Sequence, residues 1–214
     1  MVFAAISCRS NKMRHKPIKN KLFIENRKRL ASLLTDKSLA VVNANDILPT
    51  NADGTLVMHP NADLFFLSGI EQEESILLIF PEAAEKKNRE ILFLREPNEH
   101  LKIWEGYKHT KEDARKISSI KNVQWLSEFP VMFRSLMLES KAAYLNSNEY
   151  KRAHVEVETR DVRFIKQCQQ DFPLHDFRRL APLLHQLRVT KTDLEIELIK
   201  EAVDITAQGF HRSL

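Results

Sequence analysis

The chain has 214 residues, of which 43% are hydrophobic, and its formal net charge at pH 7 is +4. A chain of this length and composition buries the core of one large domain, or of one domain and the start of a second. Its 4 glycines and 8 prolines exclude a fibrous or low-complexity protein.

The first residues carry most of the positive charge. Nine lysines and arginines but a single acid precede Leu30. Such a run could attract phosphate, but a solvated arm is the commoner role of a charged run. We therefore predict a flexible basic leader at residues 1–15 and no nucleic-acid binding. Met13 is as plausible a translation start as Met1.

The same segment bears on cellular location. The apolar run in "MVFAAISC" is shorter than the roughly 7 to 15 residues of a signal-peptide core, and no basic region precedes it. No other stretch approaches the roughly 20 apolar residues of a membrane span. The two cysteines, Cys8 and Cys168, lie far apart and outside any CxxC pattern. We therefore expect reduced thiols, a cytoplasmic location and no membrane partner.

Short apolar runs alternate with longer amphipathic stretches over the first two thirds of the chain. The short runs, bounded by polar residues, predict strands, and the amphipathic stretches predict helices. The predicted helices are 21–34, 111–117 and 129–138, and the predicted strands are 39–42, 64–67, 76–80, 91–94 and 142–145. This alternation predicts an α/β fold, a mixed β-sheet flanked by helices, in a domain at residues 16–175.

The last third of the chain has a helical character. Two long, charged stretches have a helical pattern, with Pro173 and Pro182 near helix starts or breaks. Thr192 and Glu195 fit a capping box, which predicts the start of a further helix with one apolar face. No glycine stop, proline or basic cluster ends that helix. We therefore interpret residues 176–214 as a helical linker and the start of a second domain.

The densest acidic group comprises Glu71, Glu73 and Glu74. A metal or acid/base role is conceivable, but no histidine lies nearby, and a solvated turn between two strands is the preferred interpretation. The eight histidines are scattered, without HxxxH, HExxH or His/Cys spacing. Because GxSxG, GxGxxG and P-loop motifs are also absent, we predict neither a metal site nor a catalytic residue in this chain.

Two stretches combine unusual residues. The first, "HPNADLFFLSGI" from His59 to Ile70, joins an acid, two aromatics and a Ser-Gly turn. The second, "IWEGYKHT", places Trp104 two residues before a glycine. Its indole either covers the edge of the core or lines an apolar pocket suited to a ring such as proline, and the residues leave both roles open.

Three motifs make the chain resemble a known family. Residues 63–70, "DLFFLSGI", match the family's "DFYYLTGF", and Trp104, Gly106 and Lys108 match its "W-x-G-x-R". The family's "LR-x-x-K-S-x-x-E-I" is matched by Leu187, Arg188, Lys191, Thr192, Glu195 and Ile196. By the order and spacing of these motifs, the chain from about Lys16 onward resembles the N-terminal part of Xaa-Pro aminopeptidases, the aminopeptidase P family of pita-bread metallopeptidases.

This resemblance implies a fold and a function. The fold would be the N-terminal domain shared by creatinase and aminopeptidase P, with a role in substrate shaping and oligomerisation. The whole enzyme, a homodimer or homotetramer, would remove an N-terminal residue from peptides with proline in second position. Two aspartates, one histidine and two glutamates would hold two divalent ions, usually manganese, and all would follow Leu214. The chain alone is therefore expected to be inactive, without metal or catalytic residues.

The resemblance also implies one substrate-binding residue. Trp104 matches the tryptophan of the family's "W-x-G" loop, which reaches the active site, often that of a neighbouring subunit. Two positions depart from the family pattern. His59 stands where the family often has arginine, and Lys108 replaces an arginine, which loses the bidentate geometry of a guanidinium.

Other functions are compatible with the same fold. One is a non-catalytic, protein-binding module like the histone-chaperone subunit that resembles aminopeptidase P, a role that the basic leader would suit. Prolidase and creatinase are closer enzymatic relatives, but the "LFFLSG" and "WEG" stretches favour aminopeptidase P. An intact set of five metal ligands downstream would distinguish an enzyme from a binding module.

Overall fold

The computed structural model describes residues 17–52, 54–97, 108–152 and 155–213. Its strands are β1 (Ser38–Asn43), β2 (Ile76–Ile79), β3 (Glu90–Leu94), β4 (Asn122–Trp125), β5 (Ala142–Leu145) and β6 (Asp176–Arg179). They form one six-stranded sheet in the order β4-β3-β2-β1-β5-β6. The β1/β2 and β2/β3 pairs are antiparallel and the other three pairs are parallel, which confirms the predicted mixed sheet.

Seven helices are present in the described residues. They are α1 (Lys21–Ala31), α2 (Ala62–Ser68), α3 (Lys111–Ser118), α4 (Phe129–Glu139), α5 (Arg160–Asp171), α6 (Ala181–Val189) and α7 (Asp193–Ser213). Two short 3₁₀ turns, Lys86–Asn88 and Leu126–Glu128, precede β3 and α4.

The sheet separates two hydrophobic cores. Alternate residues of β1 contribute to each, with Leu39 and Val41 in one core and Ala40 and Val42 in the other, because successive side chains of a strand point to opposite faces. Helices α1, α2, α3 and α6 cover the face that carries Ala40 and Val42, and α4 and α5 cover the face that carries Leu39 and Val41. Cys168 of α5 is buried, and burial raises the pKa of its thiol to about 12, so this thiol is protonated at neutral pH.

Several predicted elements are confirmed within a few residues of their predicted ends. These are the strands predicted at 39–42, 76–80, 91–94 and 142–145 and the helices predicted at 21–34, 111–117 and 129–138. The capping box of the last helix is also confirmed. The Glu195 carboxylate accepts a hydrogen bond from the backbone nitrogen of Thr192 (2.8 Å), and the Thr192 hydroxyl accepts one from the backbone nitrogen of Glu195 (3.3 Å).

The strand predicted at residues 64–67 is wrong, because this run lies in helix α2. The side-chain oxygen of Asn61 caps the helix by accepting hydrogen bonds from the backbone nitrogens of Asp63 (3.0 Å) and Leu64 (3.1 Å). Gly69 then ends it with a φ of +71°, in the left-handed region. A four-residue apolar run has no period of its own, so the asparagine cap and the glycine stop were the informative signals.

Strands β4 and β6 were not predicted. They lie at the two edges of the sheet and have the sequences NVQW and DFRR, without a continuous apolar run. Edge strands need fewer apolar residues because only part of their surface is covered. Since β6 pairs with β5, the sheet extends into the stretch predicted to be a helical linker, and the division of the chain into domains stays a prediction.

The last helix, α7, packs differently from the others. None of its described residues is buried. Its exposed apolar side chains include Ile199, Val203 and Phe210. On the apolar face that the sequence predicted, Leu194 and Leu198 are half-buried, whereas Ala202, Ile205 and Gly209 are exposed.

Candidate functional site

A polar cleft lies at one edge of the sheet. Because β1 and β5 are parallel, their carboxyl ends meet at this edge. Asn43 ends β1 and Asn146 follows β5, and both side chains are buried. The Asn43 amide donates to Asp161 (Nδ2 to Oδ1, 3.0 Å), and the Asn146 amide donates to Asp63 (Nδ2 to Oδ2, 3.0 Å). The two asparagines thus hold two carboxylates at the strand ends.

Ion pairs complete the polar cleft. Arg188 of α6 pairs with Asp63 of α2 (Nη1 to Oδ1, 2.7 Å), and Arg163 of α5 pairs with Asp46 (Nη2 to Oδ1, 2.6 Å). The cavity between these elements has a volume of about 770 Å³. Its lining includes Asp46, Asp63, Asn146, Asp161, Arg163 and Arg188. Most of its charges are neutralised by partners, so the geometry suits recognition and docking better than acid/base chemistry.

Asp161 has the most perturbed carboxyl of the cleft. Burial raises its pKa from the ordinary value of 3.8 to about 6, while the hydrogen bond from Asn43 and the charge of Arg160 oppose this rise. An acid whose pKa is higher in the folded state binds its proton more tightly when the protein is folded. The free energy of unfolding therefore falls as pH rises from about 4 through about 6.

We expect Asp161→Asn to remove this pH dependence. The variant keeps an oxygen that accepts from Asn43 but carries no charge. At about pH 7 its free energy of unfolding should exceed that of the parent by about 1–3 kcal/mol, and near pH 4 the two should agree. Urea unfolding at several pH values measures the difference. Asp171→Asn, at the exposed end of the same helix, is the control, and an Asp161→Asn variant that keeps the parent's pH dependence would contradict the assignment.

The acidic turn at residues 71–74 is not the solvated turn that the sequence predicted. Gln72 and Glu73 are both 6% exposed. The Glu73 carboxylate forms ion pairs with Lys108 and with Arg95 (Oε1 to Nη1, 3.6 Å). The prediction failed because the two cations come from positions 22 and 35 residues further along the chain, and no local pattern links them to the turn.

This turn contacts both sides of the segment that contains Trp104. The Gln72 side chain accepts a hydrogen bond from the backbone nitrogen of His109 (2.7 Å) and donates one to the carbonyl of Arg95 (3.4 Å). Lys108, at a position where the resemblance implied arginine, has its ammonium group buried against Glu73. Burial lowers the pKa of the neighbouring His109, and acids nearby oppose this shift. The ends of the segment are therefore fixed to α2 and β2 through one turn.

Trp104 itself lies outside the described residues. His59, the other position that departs from the family pattern, is exposed and lines the polar cleft. Its carbonyl accepts a hydrogen bond from Asn45 (3.0 Å). The structure thus places His59 at the cleft, and the predicted role of Trp104 stays a prediction.

Metal-binding groups and membrane-spanning helices are both absent from the residues that the structure describes. Among them, no group of three or more histidine, cysteine, aspartate or glutamate side chains could hold a metal ion. No described helix combines the length and the apolar character that a membrane-spanning segment needs.

The sequence interpretation missed two features of the cleft. Asp161 follows a threonine cap at the start of α5 and resembles an ordinary first-turn acid. Asp63 and Arg188 each lie in a recognised motif, but their contact spans 125 positions. Neither motif by itself indicates this contact. It could be predicted only by considering the two motifs together as neighbours in space.

Comparison with known proteins identifies relatives of the chain. The family model described as aminopeptidase P, N-terminal domain, matches residues 23–145. The chain is similar to intermediate cleaving peptidase 55 of Schizosaccharomyces pombe, with 24% identity over 184 residues that cover 86% of this chain and 38% of that protein. It is also similar to Xaa-Pro aminopeptidase of Escherichia coli, with 23% identity over 196 residues that cover 90% of this chain and 44% of that protein.

Solved structures show the same relationship. A Bacillus anthracis protein assigned as an aminopeptidase P has 29% identity and a TM-score of 0.79, covering 90% of this chain and 46% of that one. Aminopeptidase P from E. coli in its low-pH form has 19% identity and a TM-score of 0.74, which shows the shared fold. In all four comparisons, the chain spans less than half the length of the protein that it matches.

Proposed function

Because the chain belongs to the aminopeptidase P N-terminal domain family, we propose that it is the substrate-shaping and oligomerisation domain of a metal-dependent Xaa-Pro aminopeptidase. The observation that carries this proposal is the similarity to E. coli Xaa-Pro aminopeptidase along 90% of the chain. The substrates would be peptides with proline in second position, from which the enzyme removes the first residue. The protein would act as a homodimer or homotetramer.

The catalytic part would follow this chain. Two divalent ions, with manganese as the first choice, would be held there and would activate water for peptide hydrolysis. In this proposal the metal ligands follow this chain, and the chain's own contribution is to orient and enclose the substrate. Residues 16–175 would form the N-terminal domain with its sixth strand added from residues 176–179, and the rest would lead into the catalytic domain.

The exposed apolar side chains of helix α7 support this division into an N-terminal domain and a catalytic domain. Its apolar side chains Ile199, Val203 and Phe210 are 48%, 59% and 70% exposed. An amphipathic helix derives most of its stability from packing of its apolar face. We assign α7 as the first helix of the catalytic domain, with this face packed against the residues that follow it there.

The cellular location of the complete protein is also part of this proposal. A cytoplasmic enzyme is our first choice, since Cys168 is a buried free thiol. An Arabidopsis thaliana relative, 20% identical over 192 residues, is named as mitochondrial. Fractionation of cells that produce the complete protein separates these two locations.

Trp104 is the substrate-binding residue of this proposal. In a protein that joins this chain to its catalytic domain, Trp104→Ala should lower kcat/KM for Xaa-Pro peptides by about 1–3 kcal/mol of transition-state binding, the contribution of one apolar pocket contact. The melting temperature should change little. The described residues on the two sides of its segment are held by buried side chains, Arg95 and His109 by Gln72 and Lys108 by Glu73.

The second tryptophan is the matched control. Trp125 packs against the core, and the ammonium group of Lys111 lies 4.7 Å from its ring centre. Trp125→Ala should therefore lower the melting temperature and leave kcat/KM of the folded fraction unchanged. If Trp104→Ala instead destabilises the protein by about 3–5 kcal/mol with parental kinetics, the indole covers the core. Trp104→Ala chains can also be mixed with chains that lack a metal ligand. Activity regained in the mixture would show that the indole of one subunit lines the active site of its neighbour.

A further inference from the structure

Two motifs that lie far apart in the sequence meet at the root of α7. Asp63 begins the "DLFFLSG" motif and Arg188 belongs to "LRVTK". Their side chains form an ion pair with 2.7 Å between Oδ1 and Nη1. The side chain of Asp63 is 23% exposed and that of Arg188 is 41% exposed, so water screens this contact only in part. The pair therefore joins the start of α2 to the end of α6.

Asp63 is held in place from several sides. Its backbone nitrogen donates to the Asn61 cap of α2 (3.0 Å), which fixes its main chain. Its second carboxylate oxygen accepts from the buried Asn146 amide at the end of β5 (3.0 Å). An acid in the first turn is also favoured by the helix dipole. The carboxylate therefore offers Arg188 a fixed anchor.

The end of α6 has a second anchor on α1. The Arg29 guanidinium donates to the carbonyl of Leu187 with 2.8 Å from Nη2 to the oxygen. The Leu187 side chain is buried in the core, and the Arg188 guanidinium lies 5.7 Å from the ring centre of Phe66. We call the Asp63–Arg188 ion pair and the Arg29–Leu187 hydrogen bond the junction contacts.

The junction contacts lie at the root of α7, and among the described residues the half-buried positions of α7 are confined to its first turns, with Leu194, Leu198 and Glu201 among them. None of its described residues is buried. Its ion pair with the N-terminal part of the chain, Lys19 with Glu197 at 4.0 Å, joins two side chains that are 77% and 67% exposed. Exposed pairs of this kind contribute little. The direction of a 21-residue helix is therefore set mainly at its root.

We propose that Asp63 is a positioning residue, which acts through Arg188 and together with Arg29 sets the direction in which α7 leaves the N-terminal domain. Since α7 begins the catalytic domain in the function proposed above, the inference rests on that function for its consequence. The junction contacts orient the substrate-shaping domain relative to the metal site. The two family motifs thus act as one structural unit.

The test measures the direction of α7 in this chain. Spin labels are attached at Gln208→Cys on α7 and Leu138→Cys on α4, both exposed positions, with Cys8 and Cys168 replaced. Pulsed electron resonance gives the distribution of label distances. We expect Asp63→Asn and Arg188→Met each to broaden and shift this distribution. The double variant should broaden it no more than Arg188→Met alone, because both changes remove one contact.

A matched control separates a local effect from general loosening. Arg163→Met breaks the Asp46–Arg163 ion pair of the same cleft, which does not involve α6 or α7, and should leave the distribution unchanged. Arg29→Met tests the second anchor and should broaden it. An unchanged distribution in Asp63→Asn, or equal broadening in Arg163→Met, would overturn the inference.

A second arm concerns the protein that includes the catalytic domain. There, Asp63→Asn should lower kcat/KM by roughly 10- to 100-fold at an unchanged metal content, because misplacement by about 1 Å costs on the order of 100-fold. An inactive parent would count against the proposed function and leave the distance result standing. A different outcome is that Asp63→Asn broadens the distance distribution while the longer parent protein is active and its Asp63→Asn variant keeps the parental kcat/KM. The catalytic domain would then be oriented by other contacts, and the positioning role would be overturned.

Discussion

Replacing Arg27 by alanine is expected to lower the free energy of unfolding by about 3–5 kcal/mol, because a large buried side chain, a hydrogen bond and an ion pair with the partly exposed Glu90 are lost together. The Arg27 side chain is 1% exposed. It donates to the carbonyl of Leu67 (2.8 Å from Nη1) and lies 3.0 Å from the Glu90 carboxylate (Nε to Oε2). Burial lowers the pKa of this guanidinium, and the charge of Glu90 opposes the shift. The substitution would leave a cavity and an unpaired carbonyl at the end of α2.

Two further variants isolate the cause of this loss. Arg27→Met fills much of the space but lacks the charged head, so any difference from Arg27→Ala measures the cavity. Lys28→Ala, at the next and exposed position of α1, should change the free energy of unfolding by less than about 0.5 kcal/mol. Chemical denaturation monitored by circular dichroism measures all three. A loss below about 1 kcal/mol in Arg27→Ala would show that Arg27 is not structurally important.

Replacing Gly69 by alanine is expected to lower the free energy of unfolding by about 2–5 kcal/mol, as backbone strain and overpacking add. Gly69 ends α2 with a φ of +71°. A Cβ atom there would lie 2.5 Å from Cε2 and 2.6 Å from Cζ of Phe23, and 3.0 Å from Cγ2 of Ile117. The Phe23 side chain is buried, so its ring would have to shift against closely packed neighbours.

Gly209 provides the control for this substitution. It lies within α7, and a Cβ atom there would meet nothing within 4 Å. Gly209→Ala should leave the free energy of unfolding of the domain unchanged or slightly raised, since alanine favours a helix by about 1 kcal/mol over glycine. The two variants differ only in backbone conformation and surroundings. Equal stabilities of the two variants would contradict the role assigned to Gly69.

The two predictions concern residues that also support the site. Arg27 and Gly69 hold the carboxyl end of α2, and Asp63 at the opposite end of the same helix contacts the junction to α7. The turn after Gly69 brings Gln72 and Glu73 to the segment that contains Trp104. A single short helix therefore connects the core, the junction and the candidate substrate-binding segment.

Local patterns in the sequence determined much of the architecture. The strands β1, β2, β3 and β5 are short apolar runs that are buried on both faces, so their composition alone identified them. The capping box of Thr192 and Glu195 identified the start of α7 for an equally local reason, since its hydrogen bonds span three residues. The ordered motifs likewise identified the family, which the match over residues 23–145 confirmed.

Only the tertiary structure decided the features that depend on distant partners. The run at 64–67 became a helix between Asn61 and Gly69, and β6 joined the sheet through β5. Glu73 became buried because Arg95 and Lys108 compensate the cost of removing its charge from water. Asp63 and Arg188 became one contact across 125 positions. Burial and pairing of polar groups depend on which elements pack together, and this information is not contained in any local stretch of the chain.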